Sequence, residues 1–396
     1  MKEARIYCAP PEAPTAEFFP PSEVRPPTAV HVPSSDSTSP KDASAPDRAA
    51  GRRPGAAVLV FLGSIVLALL LAEAVLRWAY DEVEVNGNYW GRGAFVADPA
   101  AGYRHAPGFR GRAVRPGVFD VEVALDDLGL RQADRERQLA YPRTLLVLGD
   151  SFPFGLGVEA DESFPTLLAA ELNPLGIGVV NGGQTGYDVA QSAAWGRTLI
   201  DRLGPDAVLL TVFLANDVSG AWFADRERVD VVDGYRLSRS RWGPGTALDR
   251  LRTRSYLWKF AGGRLATPIE GRRRRGELRE ANRRAPEAVL ATTVEPLRAL
   301  AAYCRERRIP FNVAMIPPRK GSTRYDEPFR QALASAGIRL IDLTGSFTRA
   351  EHYFPGDGHW NAVGHAAAAR RLVHAIAVQA EPATPRVAPA TASGVR

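Results

Sequence analysis

Cysteine is almost absent from this chain of 396 residues: Cys8 and Cys304 are the only two. That excludes a disulfide framework and any Cys-rich metal site, and Cys304, in a helix-like stretch, reads as a small buried apolar residue. Lysine is scarce, and arginine supplies nearly all of the 50 basic residues behind the net charge of +6. The basic residues are scattered, apart from Arg272-Arg273-Arg274-Arg275 in a polar stretch. A nucleic-acid surface would need a basic face with interleaved aromatics, so this run reads as a solvated loop and no nucleic-acid partner is expected. Internal repeats are lacking. Long hydrophobic runs are also lacking, with a single exception near the N-terminus.

Residues 1–54 are rich in Pro, Ala, Ser and Thr without an apolar period. Such a segment cannot bury enough surface to offset its ordering entropy, and a disordered tail is expected. The exception follows at 55–80. The stretch from Gly55 to Ala72 carries no charge, close to the ~20 residues that cross a bilayer. Glu73 and Arg77 stand at i, i+4 near an interface, with Trp78 and Tyr80 suited to the headgroup belt. Arg48, Arg52 and Arg53 precede the run, and Asp81, Glu82 and Glu84 follow it. The positive-inside tendency then puts the N-terminus in the cytoplasm and everything after residue 80 outside it, at a cell membrane crossed once. A cleaved signal peptide would need a leader of some 50 residues before its apolar part, against about 15–30 for a whole signal peptide.

Residues 81–142 hold Gly and Pro turns and one alternating run, 118–125. Phe119, Val121, Val123 and Leu125 share one face, and Asp120 and Glu122 share the other, the period of a half-exposed strand. This reads as a juxtamembrane β-containing segment packed on the main domain. From 143 to 380 the chain alternates strand and helix: strands over 144–148, 177–181, 207–214, 310–316 and 338–343, and helices over 162–172, 188–203, 287–307, 327–336 and 361–379. Repeated β-α units imply an α/β fold with a parallel sheet and helices on both faces. Residues 218–286 interrupt the rhythm with an Arg-rich insertion bearing Trp222, Trp242, Tyr256 and Trp258, either a roof over a site or a surface excursion with its own small core. The tail 381–396 is again Pro/Ala/Thr-rich and expected to be disordered.

The chemistry gathers at strand ends. Leu145-Leu146-Val147-Leu148 is an all-apolar strand that stops at Gly149-Asp150-Ser151. In open α/β sheets ligands bind beyond the carboxyl ends of the strands, so Ser151 is the candidate nucleophile, although Asp-Ser is also a common helix cap. Asn181-Gly182-Gly183 follows a second apolar strand. Gly183 can bring a backbone N–H to a developing oxyanion, or simply serve as a turn glycine. Asn216-Asp217 follows a third, and Asn216 is a side-chain oxyanion donor or part of a cap or Asx-turn. Pro355-Gly356-Asp357-Gly358-His359 supplies a base: His359 would activate Ser151, and Asp357 would orient the imidazole through Nδ1, with the glycines letting the loop fold. Taken alone the segment also fits a surface loop. His365 reads as structural, and His352 and His374 are weaker candidates still.

These four blocks, in this order on β-α units, resemble the SGNH/GDSL hydrolase superfamily over residues 143–380. The resemblance implies a flavodoxin-like three-layer α/β/α sheet and Ser–His–Asp acyl chemistry without metal or organic cofactor. It also implies an oxyanion hole made by Ser151 N–H, Gly183 N–H and the Asn216 side chain. The family often has Gly two residues before the Asn, where this chain has Leu214. Its last block is often Asp-x-x-His, where this chain has Asp357-Gly358-His359-Trp360. The shorter spacing resembles the Asp-x-His-Trp of alginate-type O-acetyltransferases. Gly102-Tyr103-Arg104 and Leu128-Gly129-Leu130-Arg131 resemble the front segment of membrane-anchored bacterial members. The expectation is a membrane-anchored serine ester hydrolase acting on an O-acyl ester. The alternatives are an O-acyltransferase acting on an envelope or secreted polysaccharide and a non-catalytic glycan-binding scaffold.

Overall fold

The computed structural model describes residues 54–85, 89–132, 134–214, 229–238, 245–262, 283–319, 322–347 and 350–377, with isolated positions 272, 276 and 279. The expected disordered tails, apart from Pro54, lie outside the described residues, as do the Arg272–Arg275 run apart from Arg272, Cys8, Trp222, Trp242, Asn216 and Asp217.

The apolar run forms one helix, α1 (Pro54–Ala79). Over Gly55–Ala79 its mean hydropathy is 2.7, with none of the apolar window buried by protein, so it is long and apolar enough to cross a membrane. Glu73 and Arg77 pair at 2.7 Å, as their spacing predicts. Glu73 also accepts hydrogen bonds from Ser255 Oγ and from the N–H groups of Tyr256 and Leu257, which ties the last turns of α1 to the insertion.

Next come a short helix α2 (Glu82–Val85) and two antiparallel hairpins. β1 (Phe95–Asp98) pairs with β2 (Gly102–His105), and β3 (Arg110–Arg115) pairs with β4 (Phe119–Ala124). Along β4, Phe119, Val121 and Val123 are buried while Asp120 and Glu122 face solvent, which is the alternation the sequence shows. The buried side of this region, with Trp90, Phe95 and Tyr103, is continuous with the main core.

The main domain then runs through α3 (Arg135–Leu139), β5 (Arg143–Leu148), α4 (Ser151–Phe154), α5 (Phe164–Leu172), β6 (Ile177–Asn181), α6 (Val189–Leu203) and β7 (Ala207–Phe213). The insertion contributes an antiparallel hairpin, β8 (Val229–Val232) with β9 (Tyr235–Ser238), and a helix, Ala247–Arg254. The helix Pro286–Glu306, β10 (Phe311–Ile316), the helix Asp326–Ser335, β11 (Arg339–Asp342) and the helix Ala362–Ala377 complete the fold.

β5, β6, β7, β10 and β11 form one parallel sheet in the spatial order β6-β5-β7-β10-β11. Numbered by appearance, this is 2-1-3-4-5, the flavodoxin-like doubly wound order. The uniformly apolar strands have a simple cause. Leu146 and Leu148 of β5 belong to one core with Leu199 of α6 and Leu297 and Leu300 of the helix Pro286–Glu306. Leu145 and Val147 belong to the other, with Leu168 of α5 and Leu372 of the last helix. Successive side chains point to opposite faces, and both faces are covered, so apolar residues predominate and a buried polar one needs a partner, as Thr211 of β7 finds in Leu148 O. The expected element boundaries hold within two residues, except that the helix expected over 162–172 is split into a 3₁₀ turn Ala160–Glu162 and α5, with Pro165 in its first turn. Asp188 caps α6, its carboxylate accepting from Gln191 N at 2.7 Å. Cys304 is fully buried.

In a 2-1-3-4-5 sheet the chain leaves strand 1 for strand 2 in one direction and reaches strand 3 in the other. The carboxyl ends of β5 and β7 therefore flank the switch point, where a crevice opens. Ser151 lies three residues past the end of β5.

Candidate active site

β5 is followed by Gly149, whose φ of 143° is open only to glycine. The chain then turns into α4. Asp150 caps it, accepting from Phe152 N at 3.0 Å, so the cap reading of Asp-Ser and the nucleophile reading of Ser151 are both compatible with this turn. Ser151 is the first residue of α4. Its N–H is one of the orphan donors of a helix start and has no acceptor among the described residues.

Ser151 Oγ lies 2.8 Å from His359 Nε2, and His359 Nδ1 lies 2.6 Å from Asp357 Oδ1. The carboxylate fixes the tautomer: Nδ1–H donates to Asp357, which leaves the Nε2 lone pair for the Ser151 hydroxyl. The structure thus brings together three side chains from opposite ends of the domain. The short spacing in the last block has a local reason. Asp357 Oδ1 also accepts from His359 N at 2.9 Å. This is the Asx-turn geometry, a carboxylate on the N–H two residues ahead, and it holds backbone and ring to one oxygen.

The loop around them is anchored on both sides. Tyr353 and Trp360 form an isolated antiparallel bridge. Trp360 is fully buried, stacks on Phe347 at 4.7 Å and meets Phe152 edge-on at 4.8 Å. Of the two loop glycines only Gly356 has a left-handed φ, 71°. A Cβ on Gly358 would meet open space, so the fold of this loop requires the first glycine and not the second, contrary to expectation.

Gly183 also departs from expectation. Its N–H donates to Asn181 Oδ1 at 3.0 Å, so in this arrangement it is not available to an oxyanion. Its missing side chain answers a different need: a Cβ there would lie 2.4 Å from Phe154 N. Glycine lets the 181–183 turn close on α4, and Asn181 Nδ2 completes the contact with Pro153 O at 2.8 Å. The N–H groups of Gly182 and Gln184 are likewise taken, by Val147 O and Gly149 O. Those of Thr185 and Gly186 have no acceptor among the described residues. Asn216, the other expected donor, lies outside the described residues.

Burial lowers the His359 pKa below its usual 6.5, opposed by the Asp150 charge and reinforced by Arg115. The ring still keeps 21% of its side-chain surface exposed, consistent with a base that a substrate can reach. His365 is buried and accepts from Phe164 N at 3.2 Å through Nδ1, a packing role as expected. Among the described residues no cluster of three or more His, Cys, Asp or Glu side chains has the arrangement of a metal site.

Two charged residues have structural roles that the sequence does not assign. Arg131 is buried, and its guanidinium donates to Val158 O at 2.7 Å and Glu122 O at 2.9 Å and also to Gly155 O, tying the β4 region to the end of α4. Arg115, at the end of β3, forms an ion pair with Asp357 Oδ2. Arg131 is marked in the sequence only as part of Leu128-Gly129-Leu130-Arg131, and Arg115 by nothing beyond its charge, since its partner is distant in sequence.

Residues 301–393 match the family described as ALGX, the SGNH hydrolase-like domain of acetyltransferase AlgX. No curated protein matches the chain. Among solved structures, the chain is similar to the psychrotrophic esterase EstA from a Pseudoalteromonas species, at 13% identity and TM-score 0.37 over 60% of this chain and 97% of that one. It is similar to a lipase/acylhydrolase from Enterococcus faecalis, at 12% identity and TM-score 0.36 over 61% and 99%. A catalytic mutant of Axe2, an acetylxylan esterase from Geobacillus stearothermophilus, matches at 16% identity and TM-score 0.34 over 60% and 94%. The SGNH/GDSL resemblance carried by the four sequence blocks stands, and within it the C-terminal part of the chain is similar to the SGNH hydrolase-like domain of an alginate-type acetyltransferase.

Proposed function

We propose that this protein is an ester-acting enzyme of SGNH type that works through an acyl-serine on an O-acyl ester, held outside the cytoplasm by α1. The observation that carries the reading is the unbroken relay Ser151–His359–Asp357, with contacts of 2.8 and 2.6 Å. A serine hydroxyl needs a base and the base needs an orienting group, and the relay supplies both.

In the proposed cycle His359 Nε2 takes the Ser151 proton as Oγ bonds to the ester carbonyl carbon. Asp357 stabilises the imidazolium that results. The oxyanion is met by the Ser151 N–H, with Asn216 as a further donor. His359 then gives its proton to the leaving alkoxide as the carbon–oxygen bond breaks, which leaves the acyl group on Ser151. A second hydroxyl, from water or a sugar, gives its proton to His359 as it attacks the acyl carbon; the bond from that carbon to Oγ then breaks, and His359 returns the proton to Ser151. No cofactor enters these steps.

Hydrolysis is the first reading. Transfer of an acetyl group to a polysaccharide hydroxyl is the second, favoured by the AlgX-type match over 301–393, which spans the Asp357–Trp360 block. The full-length protein incubated with an aryl acetate, with and without a polysaccharide acceptor, separates the two. Free acetate in step with aryl release supports hydrolysis, and acetylated glycan at the expense of free acetate supports transfer. Aryl release that persists unchanged in Ser151→Ala rejects both, and no release above the uncatalysed rate in either protein leaves a non-catalytic glycan-binding scaffold.

A further inference from the structure

We propose that Arg115, carried by the juxtamembrane β3–β4 hairpin, is a positioning residue for the relay: it balances the buried carboxylate of Asp357 and clamps the loop that carries His359. The inference rests on the proposed function for its catalytic consequence. Its geometric basis is independent of that reading.

The Asp357 side chain is 2% exposed. One of its oxygens is occupied by His359, through both Nδ1 and the backbone N–H. The other, Oδ2, accepts no hydrogen bond from the described residues and faces the Arg115 guanidinium. A buried carboxylate without a compensating cation is costly, and the imidazole alone does not supply one, because its neutral form is the working base. Arg115 also donates through Nη2 to Gly356 O at 3.0 Å. One guanidinium thus holds both the carboxylate and the backbone of the residue before it. Arginine can do this because its donors form a rigid fork, which an ammonium lacks.

The hairpin itself is built to hold Arg115 in place. Arg115-Pro116-Gly117-Val118 is a Pro-Gly turn, with Gly117 at φ 73° and Val118 N bonded to Arg115 O at 2.9 Å. Arg115 pairs across the strands with Phe119. Phe119 stacks on Tyr89 at 5.7 Å and packs against Phe354 at 5.4 Å, on the loop that leads to Asp357. Tyr89 lies under the guanidinium, 6.0 Å from ring centre to Cζ. The hairpin therefore delivers a cation to the relay from outside the parallel sheet.

Among the described residues, the charged and titratable groups facing the His359–Asp357 pair are Arg115 from β3, Asp150 from the turn after β5 and the neutral His365 from the last helix. Among them Arg115 opposes protonation of His359 and Asp150 favours it. Removing Arg115 leaves the carboxylate uncompensated and removes the opposing cation. Both changes make His359 easier to protonate, so the acid limb of kcat/KM moves to higher pH.

The test uses full-length protein in detergent, aryl acetate turnover from pH 4 to 9, and NMR titration of the His359 ring, with Arg115→Met, Arg115→Lys and Ser151→Ala. Arg115→Met is expected to lower kcat about 10–100-fold, by analogy with the loss of groups that orient metal-bound histidines, with KM within about two-fold and the acid limb moved up. Arg115→Lys is expected to restore the limb and only part of kcat. Wild-type kcat and limb in Arg115→Met overturn the proposal. So does a lower kcat with an unmoved limb and an unmoved His359 titration, the mark of a merely structural role. If Arg115→Met does not fold, Arg115→Lys decides: slower turnover with a wild-type limb supports the clamp, and wild-type kcat overturns it. If turnover proves independent of Ser151, the functional reading fails and the His359 titration alone judges Arg115. A raised ring pKa in Arg115→Met then supports the positioning role, and an unchanged one overturns it.

Discussion

Thr211 Oγ1 occupies the place where any side chain on Gly149 would begin. A Cβ there would lie 2.1 Å from that oxygen, which donates to Leu148 O on the neighbouring strand at 3.1 Å. The turn that presents Ser151 is therefore set by a contact between β5 and β7, not by the Gly-Asp-Ser motif alone. Gly149→Ala combines a disfavoured φ with overpacking, each costing about 1–3 kcal/mol. The variant is expected to melt lower than wild type and to lose ester turnover even at temperatures where it stays folded. Gly358→Ala, at a position with open space, is the matched control and should leave both nearly unchanged.

Asp357→Asn keeps the size of the side chain but can turn its amide toward Nδ1, which stabilises the wrong imidazole tautomer. Loss of the same feature in a serine-protease triad costs about 10⁴ in kcat, and a fall of that order in aryl acetate turnover is expected here. A fall of less than about tenfold would mean that the carboxylate does not orient the base.

Two buried imidazoles make stability depend on pH. Burial pushes His365 down to about 3, with Arg131 and His359 adding to the depression. Burial also holds His105 well below 6.5, aided by Arg236 and opposed by its bond to Ala94 O. Below pH 6.5 the unfolded chain binds protons at these rings before the folded chain does. The stability they contribute is full above 6.5 and declines as pH falls toward 3, by at most about 1.4 kcal/mol per pH unit for each ring. Thermal melts from pH 7 to 4 should show a shallower decline in His365→Gln than in wild type. Parallel curves would contradict the assignment.

Much of the scaffold is legible in the sequence because burial on both faces of a parallel sheet leaves an unmistakable trace: Leu145 to Leu148 contain no polar residue. The alternation from Phe119 to Leu125 and the Asp188 cap are equally local. The relay was visible as three residue types at strand ends and on one loop, and the Asp-x-His spacing proves to be an Asx-turn. What was not legible depends on distant partners. Gly183 reads as an oxyanion donor in the sequence, whereas in the fold its N–H donates to Asn181 Oδ1. Arg115 is an ordinary turn-flanking arginine in sequence, 242 positions before the carboxylate it meets. Nothing local marks it, because its role is created by the packing of a hairpin on the loop that follows the last strand.

The orientation of α1 gives a fourth prediction. Alkaline phosphatase fused after residue 377 should be active, as expected of an enzyme domain beyond the membrane, and a fusion before residue 54 inactive. The reverse pattern would put the proposed site in the cytoplasm.

The central claim is that Ser151 is a nucleophile activated by His359. The most direct measurement is fluorophosphonate labelling of the full-length protein, with mass spectrometry of the modified peptide. The account predicts one adduct per chain, on Ser151, absent in Ser151→Ala and slowed at least about 10²-fold in His359→Ala, the lower end of what a general base contributes. An adduct elsewhere, or equal labelling in both variants, would contradict it.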